Sequence, residues 1–187
     1  MIFEEKKISS EVIYKGAILN VRRDKVTAVK GEAYREIVEH NGAVAMVAVT
    51  DDGNVIMVKQ YRYACGKAVL EIPAGKIDKN ETSPVLAAVR ELKEETGYRA
   101  ENVQLLGKIN TSVGYSEEVI YIYAMTDLTA GDQELDEDEA LDVIEYPFDE
   151  IYEMAEKGEL IDAKTVAALM MAKGQLDENL LLPQRRS

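Results

Sequence analysis

The chain is poor in the residues that build several common kinds of functional site. Its 187 residues include one cysteine and one histidine. The lone Cys65 excludes an intrachain disulfide and a zinc site made of cysteines. Because His40 has no second histidine and no nearby nucleophile, a strand-end or hydrogen-bonding role is favoured over a role as general base.

Positive charge is scarce as well. Lysine and arginine number 22 against 35 aspartates and glutamates, which gives a formal net charge of −13. This balance argues against binding to the backbone of nucleic acids, which calls for a basic surface. An anionic substrate would need a metal ion and local arginines to approach this protein.

Long apolar runs are also missing. No run approaches the roughly 20 apolar residues of a membrane-spanning helix, so no membrane association is expected. The N-terminal stretch MIFEEKKISSE lacks the apolar core of a signal peptide, and we therefore expect a cytoplasmic location. Apolar residues still make up 47% of the chain, which is enough to bury a sizeable core.

The apolar patterns that are present predict an α/β layered domain. Two nearly continuous apolar runs, 43–50 and 55–58, are joined by Asp51-Asp52-Gly53-Asn54 and predict two buried strands with a hairpin turn. Further strands are predicted at 118–125 and 140–146, and helices at 148–157 and 163–176. This domain would span 41–187, and residues 1–40 would form a small separate β segment.

The most informative stretch is GKIDKNETSPVLAAVRELKEETGY, residues 75–98. Ser83 suits an N-cap, Pro84 suits the first helical position and Gly97 suits a left-handed C-cap, so a helix is predicted over about 84–96. At roughly 100° per residue, two faces emerge. The packing face would hold Val85, Val89, Leu92 and Thr96, and the charged face Glu91, Glu94 and Glu95.

Three carboxylates on one helix face favour a site for a hard divalent cation, since Mg²⁺ and Mn²⁺ prefer carboxylate oxygens. The turn Glu71-Ile72-Pro73-Ala74-Gly75 before the helix adds backbone carbonyls to such a site. The alternative is a solvated charged face on which Arg90 pairs with Glu94.

These residues resemble the Nudix hydrolase signature, in which a glycine and a glutamate precede Arg-Glu-hydrophobic-x-Glu-Glu-x-Gly-hydrophobic. One extra residue separates Glu81 from Arg90, ahead of the helix, so the helical register is intact. The matching positions are Gly75, Glu81, Arg90, Glu91, Leu92, Glu94, Glu95, Gly97 and Tyr98.

Further segments look like the ADP-ribose pyrophosphatase branch of that family, namely 58–62, 70–75, Gly114-Tyr115 and the acidic run 134–139. The resemblance implies a Nudix-type α/β/α sandwich with a mixed β-sheet. It also implies hydrolysis of ADP-ribose to AMP and ribose 5-phosphate with Mg²⁺ or Mn²⁺. The expected assembly is a homodimer in which the N-terminal β segment takes part in dimerisation.

The resemblance also implies roles for single residues. The metal would be held by Glu91, Glu95 and the Ala74 carbonyl, with Glu94 sharing or orienting the ion. The general base would come from the acidic loop 135–139. Glu137 is the first choice for this base and Glu139 the second, although a solvated acidic loop is the alternative. The implied substrate-binding residues are Arg35, Arg62, Glu71, Gly114 and Tyr115.

Other interpretations stay open. Either arginine in that substrate set could be a surface ion-pair residue instead. Many ADP-ribose-specific members carry a proline where this chain has Val113, so the substrate could be another nucleoside diphosphate derivative. A non-catalytic nucleotide sensor is the alternative from a different class of protein.

Overall fold

The computed structural model groups the chain into two compact units. One unit combines residues up to Gly42 with Asn110–Val119, and the other combines Ala43–Ile109 with the chain from Ile120 onward. The predicted N-terminal β segment therefore lies in a unit that also contains a short stretch from the middle of the chain. The structure describes residues 2–81, 83–137 and 139–177.

The first unit is an antiparallel sheet of three strands, in the order β1-β2-β3. The stretch 110–119 adheres to β3, because Val38 N–H donates to the Tyr115 carbonyl at 2.7 Å and Glu117 N–H donates to the Val38 carbonyl at 3.0 Å. The part-buried Arg22 pairs with Asp24, Glu39 and Glu117. The strands are β1 (Lys7–Lys15), β2 (Asn20–Ala28) and β3 (Gly31–Glu39).

Among its described residues, the second unit contains two sheets and three helices. One sheet is mixed, with the strand order β7-β4-β9-β8, and the other has the order β10-β5-β6. The elements are β4 (Ala43–Ala48), β5 (Asn54–Arg62), β6 (Lys67–Glu71), β7 (Ala74–Lys76), α1 (Pro84–Thr96), β8 (Arg99–Asn110), β9 (Val119–Thr129), β10 (Leu141–Pro147), α2 (Phe148–Glu156) and α3 (Ala163–Asp177).

Strand β4 is the centre of this unit, because it is buried on both faces. Val44, Met46 and Ala48 pack in one core with residues of α1, whereas Ala45 and Val47 pack in a second core with α2 and α3. A strand covered on both faces reads as a continuous apolar run. The predicted α/β layered fold is confirmed, with α1 on one side of β4 and the other two helices on the opposite side.

The predicted hairpin between the first two buried strands is wrong. The turn forms, with Gly53 at a φ of 83° and the Thr50 N–H donating to the Asn54 carbonyl at 2.8 Å. However, β4 already has β7 and β9 on its two edges, and β5 therefore pairs with β6 and β10 in the other sheet. A single bridge between Val49 and Val55 is what remains of a hairpin.

Helix α1 has the predicted limits, but its buried face is rotated. Gly97 ends the helix with a φ of 77°, and its N–H donates to the Lys93 carbonyl at 2.8 Å. Ser83 is at the N-cap, yet among the described residues its hydroxyl caps no helix N–H. Val89 is exposed, because α1 packs through Ala88 and Leu92, and the small alanine allows close approach to β4.

Three strands of the second unit were not predicted from the sequence, namely β6, β7 and β8. β8 is mostly exposed and its residues do not alternate regularly between apolar and polar, so the two-residue period of a strand is absent. β6 is only five residues long and pairs with β5. None of the helices within the described residues is long and apolar enough to cross a membrane.

Candidate active site

The segment between β6 and α1, which includes the short strand β7, lies directly against the charged face of the helix. A Cβ atom placed on Gly75 would lie 1.9 Å from the Glu91 carboxyl carbon and 2.2 Å from both of its oxygens. Any side chain at this position would displace that carboxylate. Glycine is therefore required at position 75, because the β7 backbone approaches Glu91 too closely for any side chain.

Glu95, one turn further along the helix, is 4% exposed. Its Oε2 accepts a hydrogen bond from the Ala74 N–H at 3.0 Å. Strand β4 fixes the turn before Ala74, because the Met46 N–H donates to the Pro73 carbonyl at 2.9 Å. The structure thus brings together Ala74, Glu91 and Glu95, the residues expected to hold a metal ion.

Burial is the largest cause of the raised pKa values of Glu91 and Glu95. Desolvation raises the pKa of Glu91 to about 7, although the charge and hydrogen bond of Arg90 oppose the shift. Desolvation raises the pKa of Glu95 to about 8, and the negative charges of Glu91 and Glu139 add to it while the Ala74 N–H opposes it. Two buried acids that repel each other in this way favour a cation between them.

Arg90 gathers the remaining carboxylates of the motif. Its Nε donates to Glu81 Oε1 at 3.0 Å and its Nη1 donates to Glu94 Oε2 at 2.7 Å. The same Nη1 lies 3.0 Å from Glu91 Oε1. Glu81 also accepts a hydrogen bond from the Asp78 N–H at 2.9 Å. The extra residue in the loop therefore does not prevent Glu81 from reaching Arg90.

The donor set suits a hard divalent cation, since it offers carboxylate oxygens beside a backbone turn. Within the part of the chain that the structure describes, no three acidic, histidine or cysteine side chains converge into a ready-made cage. Arg90 accounts for part of this, because it pairs with both Glu91 and Glu94. The close contact between the Gly75 backbone and Glu91, and the repulsion between Glu91 and Glu95, fit a site whose carboxylates come together when a cation binds.

The acidic loop after β9 is attached to the end of α1. The Glu134 N–H donates to the Glu94 carbonyl at 2.9 Å, and Gln133 Nε2 donates to the Glu95 carbonyl at 2.6 Å. Both candidate bases, Glu137 and Glu139, are exposed. The negative charge of Glu139 contributes to the raised pKa of both Glu91 and Glu95. Asp138 lies outside the described residues.

The half-exposed Arg62 forms an ion pair with the buried Glu71 at the edge of the second sheet. Glu71 is 2% exposed and accepts from Arg62 Nε at 2.7 Å and from Arg62 Nη2 at 2.8 Å. A second cation, Lys164 at the start of α3, also donates to Glu71. Pairing with both cations lowers the pKa of Glu71 although burial acts in the opposite direction.

Sequence reasoning missed Lys164 and its neighbours Asp162 and Thr165. The signal was present as four residues, Asp-Ala-Lys-Thr, at the start of a helix whose remainder is mostly apolar. It was not recognised because the pattern predicts the helix, whereas the partners of these side chains lie about 90 residues earlier in the chain.

The other expected substrate residues belong to the first unit. Arg35 forms an ion pair with Glu5 at the surface. Gly114 and Tyr115 lie in the stretch that adheres to β3, and Tyr115 is 56% exposed. In this structure Arg35 is therefore a surface ion-pair residue, as in the alternative interpretation.

Comparison with known proteins identifies the family. The model of the NUDIX domain family matches residues 39–169. The chain therefore belongs to the Nudix family, as the motif around Glu91 and Glu95 indicated, and its members generally use divalent metal ions.

Several relatives match nearly the whole chain. The ADP-ribose pyrophosphatase of Bacillus subtilis (strain 168) is 41% identical over 89% of this chain and 91% of that protein. The ADP-ribose pyrophosphatase of Mycobacterium tuberculosis (strain ATCC 25618 / H37Rv) is 40% identical over 87% and 80%. The methanol dehydrogenase activator of Bacillus methanolicus is 41% identical over 96% and 97%. The expected resemblance to the ADP-ribose pyrophosphatase branch is confirmed.

A solved structure supports the fold. The crystal structure of an ADP compounds hydrolase has a TM-score of 0.84 to this chain and covers 96% of it and 97% of its own length. The two sequences are 24% identical, so this likeness concerns the fold alone.

The raised pKa of Glu95 predicts a pH dependence of stability in the metal-free protein. Because the folded state holds a proton that the unfolded chain releases, the free energy of unfolding should fall as pH rises from 4.5 to about 8. Glu95→Gln removes this loss, by an amount of a few kcal/mol at most. Urea titrations with a chelator at pH 5 and pH 9 measure it.

The matched control is Glu156→Gln, which changes an exposed glutamate of α2. Its difference from wild type should be the same at both pH values. A difference between wild type and Glu95→Gln that does not change with pH would contradict the assigned burial effect.

Proposed function

We propose that this protein hydrolyses the pyrophosphate of ADP-ribose, or of a closely related ADP-sugar, with Mg²⁺ or Mn²⁺. Water adds to one phosphorus, the bridging P–O bond breaks, and the products from ADP-ribose are AMP and ribose 5-phosphate. The observation that carries the proposal is the buried pair Glu91 and Glu95 against the Ala74–Gly75 backbone. The relatives named ADP-ribose pyrophosphatase support the choice of substrate.

Each part of the site has a task in this reaction. Glu91, Glu95 and the Ala74 carbonyl would hold the cation, and Glu94 would share or orient it. When bound, the ion supplies positive charge that screens the pyrophosphate and favours ionisation of the attacking water. Arg90 holds the motif together through its contacts with Glu81, Glu91 and Glu94.

The substrate itself would be recognised by guanidinium and aromatic groups. Arg62 is the candidate for contacting phosphate oxygens, because its Nε and Nη2 are directed by Glu71 into a fixed pose. Arg35, Gly114 and Tyr115 remain candidates for the remainder of the ligand. With Val113 in place of a proline, another nucleoside diphosphate derivative stays the second candidate substrate.

Location and assembly are part of the same proposal. We place the protein in the cytoplasm as a homodimer. Every residue of the edge strand β1 is exposed, and its apolar side chains include Val12 at 66% and Tyr14 at 57%. An edge strand with exposed apolar groups favours pairing with a second copy of the chain.

Glu95→Gln should abolish metal-dependent turnover, because the amide cannot neutralise a cation. We expect a loss in kcat of at least about 100-fold, with Glu156→Gln at wild-type level. Product analysis with ADP-ribose, NADH, ADP-glucose, diadenosine polyphosphates and 8-oxo-dGTP measures both the loss and the substrate preference.

Three results would count against the proposal in different ways. Full turnover by Glu95→Gln contradicts the assigned site. Preference for another compound of the panel contradicts the ADP-ribose assignment and keeps the chemistry. Binding of ADP-ribose with Mg²⁺ and no cleavage favours the sensor.

The two candidate bases can be separated. Because the charge of Glu139 acts on both Glu91 and Glu95, Glu139→Gln should lower kcat about 100-fold and Glu137→Gln less than about 3-fold. Steady-state kinetics across pH 6 to 9 measures both. A larger loss of kcat in Glu137→Gln than in Glu139→Gln would instead favour Glu137 as the base.

A further inference from the structure

The start of α3 forms a small polar cluster around Asp162. Its Oδ2 accepts from the Thr165 N–H at 3.1 Å, from the Thr165 hydroxyl at 2.6 Å and from Lys164 Nζ at 2.9 Å. The bond to the Thr165 N–H, three residues on, is that of an N-cap. A single carboxylate thus fixes the beginning of the helix together with the two side chains that follow it.

Both of these side chains contact the segment that leads into the active site. Lys164 donates to the Glu71 carboxylate, and the Ile72 N–H donates to the Thr165 hydroxyl at 2.9 Å. Thr165 is fully buried and Glu71 nearly so. The hydroxyl is used in both directions, since it gives its proton to Asp162 and accepts one hydrogen bond from the backbone.

Two routes run from this cluster to the reacting groups. Through Glu71, Lys164 reaches Arg62, whose guanidinium is near enough to Glu95 for the two charges to interact. Through the Ile72 N–H, Thr165 holds the stretch that continues to Ala74, whose own N–H donates to Glu95. The first route ends at a group that would bind substrate, and the second at the turn that would bind the metal.

The charge balance of this cluster supports a role in orienting the active-site residues. Arg62 and Lys164 supply two positive charges, and Glu71 and Asp162 supply two negative ones. Buried ion pairs add little net stability relative to apolar groups of the same volume, because desolvation offsets the attraction. In this cluster the Glu71 and Lys164 side chains are largely buried, whereas the Arg62 side chain is 42% exposed. A charge-balanced cluster that touches two elements of an active site is better explained by the geometry it fixes.

We propose that Lys164 and Thr165 are positioning residues for the reaction, Lys164 acting through Glu71 on Arg62 and Thr165 acting on the Ile72–Gly75 backbone. This inference rests on the proposed function. In this inference, Lys164 in the first turn of α3 helps to orient the substrate. Thr165, the next residue, helps to orient the metal-binding turn.

The two routes predict opposite kinetic signatures. Lys164→Met removes the charge and keeps the volume, so Arg62 loses its fixed pose and KM for ADP-ribose should rise about 10-fold with a small change in kcat. Thr165→Val removes the hydroxyl and keeps the shape, so the turn shifts and kcat should fall about 10-fold or more. Thr165→Ser should restore kcat, and Lys157→Met, an exposed lysine after α2, should leave both constants unchanged.

A double variant tests the first route directly. In an Arg62→Met background, Lys164→Met should change KM by less than about 2-fold, because the route ends at Arg62. Independent, multiplying effects of the two substitutions would overturn the inference for Lys164.

Amide hydrogen exchange tests the inference without turnover. In metal-free protein, Thr165→Val should accelerate exchange at Ile72 and Ala74 relative to wild type, while amides in β9 keep their rates. If wild type does not cleave ADP-ribose, the proposed function fails, and these exchange rates still decide the positioning role of Thr165.

The inference is overturned if Lys164→Met and Thr165→Val keep kcat and KM within about 2-fold of wild type, with unchanged exchange at Ile72 and Ala74. A lower melting temperature with both kinetic constants preserved also overturns it, since the cluster would then serve stability alone. If Lys164→Met does not fold, Lys164→Gln takes its place, because it keeps a hydrogen-bond donor without the charge.

Discussion

The burial of Glu91 and Glu95 against the Ala74–Gly75 backbone is the constraint on which the site depends. Two carboxylates are removed from water at neighbouring positions, and their pKa values rise to about 7 and about 8 as a result. Such an arrangement is unfavourable in an empty protein and favourable around a cation. The glycine at position 75, the buried face of α1 and the clamp by Arg90 all serve to hold these two groups in place.

The fold supports this constraint from both sides of β4. One face of the strand carries α1, and with it the carboxylates, while the opposite face carries α2 and α3. The turn before α1 is held by β4 through Met46 and by α3 through Thr165. The helix farthest from the motif in sequence therefore contributes to the same turn. This contact gives the polar cluster at the start of a mostly apolar helix a structural role.

The sequence predicted what depends on local or regular patterns. The limits of α1 followed from Pro84 and Gly97, and the double-sided burial of β4 followed from its continuous apolar run. The partner of β5 could not be predicted, because it depends on which edges of β4 are already occupied. The contacts of Lys164 with Glu71 and of Thr165 with Ile72 could not be predicted either, since about 90 residues separate the members of each pair. Val89 was placed on the buried face because the helical pattern of apolar residues does not show how closely α1 approaches β4. That close approach depends on the small side chain of Ala88.

The most direct test of the account is a calorimetric titration of the protein with Mn²⁺ at pH 7, repeated in buffers of different ionisation enthalpy. At that pH a carboxyl with a pKa of about 8 is mostly protonated and one with a pKa of about 7 is about half protonated, so binding should release between about one and two protons per site. Glu95→Gln should bind more weakly and release fewer protons. Tight binding with no proton release, or equal binding by Glu95→Gln, would contradict the claim that the buried pair is the metal site.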